Sequence, residues 1–196
     1  KKVKRARMDA AVARSRHVSG VTSMWILVGV AYAVRARGGL PADLACVVVL
    51  CVIVCATSVR CYPRLGGPGG KAALALDCAC ARLLYVALLL HALPSRVPVL
   101  PWMPWVVLLA YAGSMARPRP EHNLLPHATF RYLGYWWVVI TLCGAVPPYK
   151  EMVAHSLAYW GHVWCCVPGH YGTDCVGVLA LGFGAAALGE AWQALS

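Results

Sequence analysis

Apolar positions are gathered into seven long runs, separated by short segments in which Arg, Lys, Gly and Pro concentrate. Six runs hold no charged residue, at 18–34, 44–59, 97–116, 132–149, 152–173 and 175–189; a seventh, at 72–93, is interrupted only by Asp77 and Arg82. A helix needs about 20 apolar residues to cross hydrocarbon, with a usual range of roughly 17–25. The runs therefore predict an all-α integral membrane bundle of six to seven transmembrane helices. The run at 97–116 is the most compromised, because Pro98, Pro101 and Pro104 each remove a backbone donor. Its helix is expected to begin near Pro104, where proline suits a first turn, and to be short.

Composition sharpens this picture. Of 196 residues, 60% are hydrophobic and 13% charged, against about 25% charged in a soluble domain. That excludes a soluble globular fold and a disordered chain alike. Ten cysteines do not make a secreted disulfide scaffold, since Cys46, Cys51, Cys55 and others lie inside apolar runs. No Cys-x-x-Cys occurs, so the linear spacing offers no metal centre and no thioredoxin-type site.

Charge sets the expected orientation, because Lys and Arg favour the cytoplasmic or matrix side. With seven crossings, thirteen basic residues fall on the side of the N-terminus and four (Arg35, Arg37, Arg96, Lys150) on the other, Arg82 lying within a run. The N-terminus is thus expected on the matrix or cytoplasmic side. Residues 1–17 read as a basic tail suited to membrane lipids with anionic headgroups or to an acidic partner; nucleic acid is not expected beside a membrane span. The first residue is lysine, which is expected of a cleaved targeting segment or of an incomplete start.

Polar groups inside apolar runs are costly and are the default functional candidates. The entry to the first run places Ser15, Arg16, His17 and Ser19 at the inner boundary, where they could hold a polar head group or simply snorkel. His155 and His162 lie seven residues apart on one helical face and could offer an axial imidazole or pack within the bundle. A break at 168–175 carries Tyr171 and Asp174, which could serve a small polar ligand or form an ordinary turn. Asp77 and Arg82, five apart, make a poor intrahelical pair and should face other helices or an interface. The tryptophans, Trp164 among them, fit an aromatic belt.

The first and third of these places resemble the membrane-anchor cytochrome b subunits of succinate dehydrogenase (respiratory complex II). The larger anchor enters its first helix through Ser-x-x-His-Arg-x-Ser/Thr-Gly-Val; Ser15-Arg16-His17-Val18-Ser19-Gly20-Val21 is similar, with the His–Arg order reversed. The smaller anchor has a His-x-Thr segment, then His-x-Trp, then Thr-Asp-Tyr. This chain has His127-Ala128-Thr129, His162-Val163-Trp164 and Thr173-Asp174-Cys175, so Cys175 stands where the family has tyrosine. The resemblance implies a fused anchor: a larger-anchor-like unit at 18–95, a linking crossing and loop at 96–131, and a smaller-anchor-like unit at 132–196. It implies a quinone-binding site of Ser15, Arg16, His17, Tyr171 and Asp174, with Trp164 against the ubiquinone tail and His162 as haem-ligand candidate. Residues 51–62 keep Arg60 but hold no histidine for a second axial ligand, so a bis-histidine haem b is not expected.

The same resemblance implies a subunit of succinate:ubiquinone oxidoreductase in the mitochondrial inner membrane. It would dock a flavoprotein and an iron–sulfur subunit, and be non-catalytic alone. Two other readings compete: a non-redox structural accessory subunit of a large respiratory assembly, contacting other respiratory complexes, and a small multi-pass transporter or viral membrane protein.

Overall fold

The computed structural model describes residues 2–65, 67–115, 124–166 and 171–195. Among them the chain is helical without a strand. Helices α1 (Lys2–Thr22) and α2 (Trp25–Arg37) run almost end to end. At the joint the hydroxyls of Thr22 and Ser23 bond back to Val18 O and Gly20 O, at 2.8 and 2.5 Å. Such back-bonding bends a helix rather than ending it. The end of α2 is a true stop: Gly38 takes the left-handed conformation at φ 73°, with Gly38 N–H on Arg35 O and Gly39 N–H on Val34 O, the paired bonds of a Schellman cap.

Six further helices follow: α3 (Ala45–Cys61), α4 (Gly70–Ala92), α5 (Met103–Met115), α6 (Leu124–Cys143), α7 (Tyr149–Cys165) and α8 (Tyr171–Ala194). The α1–α2 rod and α6 form the centre, flanked by an α3–α4 hairpin and an α7–α8 hairpin, with α5 against α6. Every residue from Tyr135 to Leu142 is buried, which a central helix surrounded on all sides requires. The outer helices invert the pattern. Val49, Val52, Leu76, Leu83, Leu90, Leu109, Phe183 and Leu188 are exposed, an apolar girdle far beyond what a water-facing surface carries.

Among the described residues four helical stretches are long and apolar enough to cross a membrane: Asp9–Arg37, Ala42–Cys61, Gly70–Ala92 and Thr173–Ala194. Helix α5 is apolar but only 13 residues long, about 20 Å at 1.5 Å per residue. It starts at Met103, with Pro104 in its first turn. Helices α6 and α7, which carry Arg131 and Glu151 inward, are not among the four.

Several expected boundaries shift. The basic stretch at 1–17 is itself part of a helix, because α1 is already helical from Lys2. The fifth apolar run opens at 132, whereas α6 opens at Leu124 and carries His127 and Arg131 in its first two turns. Helix α7 ends at Cys165, since Cys166 turns to extended ψ 128° shortly before Pro168. Residues 116–123, with Arg117 and Arg119, and residues 167–170, with His170, lie outside the described residues.

Side-chain hydrogen bonds tie the helix ends into two groups. At one end Arg14 reaches Trp164 O, Arg16 reaches Leu65 O and His17 meets Asp174. At the other, Arg35 meets Glu190, Arg37 reaches Leu142 O and Lys150 reaches Trp192 O. Successive long helices therefore alternate in direction, with Arg14, Arg16, Arg60, Arg64 and Lys71 at the first end.

Candidate functional site

Residues 14, 16 and 17 sit about 100° apart per step around α1, at 3.6 residues per turn, and so face different neighbours. Arg14 donates to Trp164 O in the last turn of α7 at 3.1 Å, where a cation complements the helix dipole. Arg16 donates to Leu65 O at 2.6 Å, in the link between α3 and α4. Only His17 turns to α8, its Nε2 standing 2.5 Å from Asp174 Oδ2. The pair spans 157 residues of sequence. Asp174 lies in the first turn of α8, where the helix N-terminus favours a carboxylate.

Cys166 closes α7, with its N–H on His162 O at 3.0 Å. Its Sγ lies 3.2 Å from His162 Nε2. Trp25 donates its indole N–H to His162 Nδ1 at 3.4 Å, which fixes the ring proton on Nε2 and makes that nitrogen the donor to sulfur. Burial, with the Asp174 carboxylate adding to it, pushes the Cys166 thiol up to about 12. The Sγ of Cys166, a ring nitrogen of His17 and a carboxylate oxygen of Asp174 all lie within 4.8 Å of one another.

Of the residues expected at a quinone, His17 and Asp174 are thus brought together and Ser15 is buried nearby in sequence. Arg16 is turned away to Leu65. Trp164, expected against the quinone tail, is 63% exposed. The Tyr171 side chain lies outside the described residues. The residues do not fit a haem: Trp25 and Cys166 engage the ring nitrogens of His162, and the buried rings of Trp25, Tyr135, Trp136, Trp137 and Tyr159 fill the interior between α2, α6 and α7. Two clefts, of about 290 and 100 Å³, are lined by α5–α6 and α2–α8 residues and touch neither His17 nor Asp174.

Two further polar groups cross the bundle. Asp77, 5% exposed, accepts from Ser58 Oγ at 2.5 Å and Thr57 Oγ1 at 3.2 Å. Arg131 from α6 donates to Ser58 Oγ and to Tyr62 OH, both at 3.2 Å, and Tyr62 OH pairs with His127 Nε2 at 3.0 Å. Asp77 thus faces another helix, as its poor spacing from Arg82 predicts. Near the opposite end, Tyr32 OH donates to the buried Glu151 carboxylate, and Tyr135 OH pairs with His155 Nδ1 at 2.5 Å. The Nε2 of His155 is buried with no partner among the described residues.

Sequence reasoning does not find Cys166, Glu151 or Arg131. For α7 a signal exists: Glu151, His155, Tyr159, His162 and Cys166 recur at steps of four, four, three and four, one continuous helical face. No protein-family model matches the chain, and no curated protein or solved structure matches it.

Proposed function

We propose that this chain is a divergent membrane anchor of succinate:ubiquinone oxidoreductase in the mitochondrial inner membrane, docking a flavoprotein and an iron–sulfur subunit at its basic end. The observation that carries the reading is the His17–Asp174 pair. The two residues belong to the two patches that resemble the larger and smaller anchors, and they touch at the end where the basic residues gather. An imidazole and a carboxyl group in hydrogen bond can deliver a proton to a quinone oxygen as electrons arrive from a partner's iron–sulfur cluster, and each needs a second group to restore its proton. Asp174, the more exposed of the two at 20% against 7%, is the side open to proton refill.

The assay is succinate-dependent quinone reduction in the purified native assembly. Asp174→Asn should slow it about 100-fold, the lower range for general acid–base catalysis, while dye reduction at the flavoprotein stays intact. Unchanged quinone turnover removes Asp174 from the reaction.

A second reading, a non-redox structural subunit of a respiratory assembly, is favoured by Arg16 bonded to Leu65 O and by Trp164 turned outward. Under it the histidines serve packing and the basic end serves docking. Affinity purification separates the two: a covalent-flavin subunit and an iron–sulfur subunit accompany the anchor, whereas other respiratory subunits without them accompany a structural subunit.

A further inference from the structure

Three side chains from three helix ends converge at the basic end of the bundle. His17 comes from α1, Cys166 from the residue closing α7 and Asp174 from the first turn of α8. Their ligand atoms lie within 4.8 Å of one another. Imidazole nitrogen, cysteine sulfur and carboxylate oxygen are the donors zinc takes, at about 2.0–2.3 Å each and in tetrahedral array. Tetrahedral geometry with those bond lengths separates neighbouring donors by roughly 3.3–3.8 Å. The 2.5 Å His17–Asp174 contact therefore opens by about 0.8 Å, and the separations to sulfur, all within 4.8 Å, close by no more than about 1.3 Å, to admit an ion. Both shifts are within reach of side-chain rotation.

A second observation points the same way. A metal-bound thiolate is steadied by a hydrogen-bond donor in its outer shell, and Cys166 has one. The Trp25 indole on His162 Nδ1 leaves the proton on Nε2, which faces the Cys166 sulfur at 3.2 Å. His162 is 5% exposed and Trp25 fully buried, so this donor is held by the core rather than by solvent. His17 and Cys166 are buried while Asp174 is partly exposed, which leaves the Asp174 side of the cluster for an ion to enter.

The geometry points to a divalent-metal site of the zinc class at the basic end of the bundle, held by His17 Nε2, Cys166 Sγ and an Asp174 carboxylate oxygen. The proton shared by His17 and Asp174 and the Cys166 thiol proton both leave to solvent as the ion binds and the metal–sulfur bond forms. His162 is a positioning residue that donates to the bound sulfur. Among the described residues one histidine, one cysteine and one aspartate converge, the three protein donors on which a zinc site can be built. The site rests on its donor atoms and not on the quinone reading. With the ion bound, His17 and Asp174 hold no shared proton to pass to a quinone, so the two uses of the pair exclude one another in any one molecule and are tested separately.

The test uses the full chain in detergent micelles, stripped with a chelator and titrated with Co²⁺ alone, with neither quinone nor partner subunits present. A single Co²⁺ should bind, with a near-ultraviolet thiolate charge-transfer band and visible bands of low coordination number, both erased by Zn²⁺. Cys166→Ser should abolish the charge-transfer band, and Cys165→Ser, next to it but exposed, should leave it. His162→Phe should weaken Co²⁺ binding by about 10–100-fold, the usual effect of losing an outer-shell partner. Absence of the band in the wild-type chain, or its survival in Cys166→Ser, overturns the site. The wild-type titration decides the matter even if a variant fails to fold.

Discussion

Asp77 is buried in the apolar wall between α3 and α4, and the hydroxyls of Ser58 and Thr57 are what its carboxylate has in place of water. Arg131 adds a positive charge one hydrogen bond away through Ser58. Breaking a buried charge arrangement from one side costs about 3–5 kcal/mol. Arg131→Met should therefore destabilise the bundle by roughly 3 kcal/mol, read as a lower denaturation midpoint in detergent. Asp77→Asn should cost less, because an amide oxygen still accepts from Ser58. Tyr32→Phe should cost about 1–3 kcal/mol by leaving buried Glu151 short of a donor.

Cys165 and Cys166 allow a second prediction about single residues. The first is exposed and the second buried with its thiol pushed up to about 12, and the thiolate is the reactive form. A maleimide at neutral pH should label Cys165 in the folded chain and spare Cys166 until the chain is unfolded, as peptide mass spectrometry would report. Equal labelling would contradict the burial of Cys166. Adjacent cysteines look alike in sequence. Only the turn after α7, which points one inward, tells them apart.

Among the elements, α8 is placed by the absence of side chains. A Cβ on Gly182 would overlap the Val28 side chain, and one on Gly189 would stand 2.8 Å from Glu151 Cγ. Small residues allow such close approach between apolar helices, where packing rather than water drives association. Gly182→Leu should loosen α8 from α2 and cost about 1–3 kcal/mol as overpacking does, whereas Gly184→Ala, with nothing within 4 Å, should be tolerated. Thermal unfolding in detergent distinguishes them.

Most helices are legible in the sequence because apolar runs end where charge or proline begins: 44–59 against Ala45–Cys61, and 72–93 against Gly70–Ala92. The first and fifth starts are not. Arg14 and Arg16 look like a tail until Trp164 O and Leu65 O are seen to receive them. Arg131 looks like a loop charge until Ser58 and Tyr62 are seen to meet it. Periodicity carries no information about a partner from another helix.

Across the whole molecule, counting passages predicts that residues 17 and 174 share one end, and the His17–Asp174 contact places them together. The metal donors are hidden in the sequence because their positions, 17, 166 and 174, follow no short spacing. The resemblance to complex II anchors marks two of the three and passes over Cys166. With the long helices alternating in direction, the two termini should lie on opposite sides of the membrane. Tags at the two ends of the chain should then differ in protease protection in sealed vesicles.

The proposed site exists only if the first helix and the start of the last meet at one end of the bundle. Cysteines placed at 17 and 174, in a chain whose other cysteines are replaced and with a protease site inserted after Ser95, probe that meeting directly. A short bis-methanethiosulfonate reagent is applied in membranes before cleavage. The two fragments should remain joined until a reductant is added. Fragments that separate without reductant, while each cysteine is shown to be labelled, would contradict the meeting of the two helices.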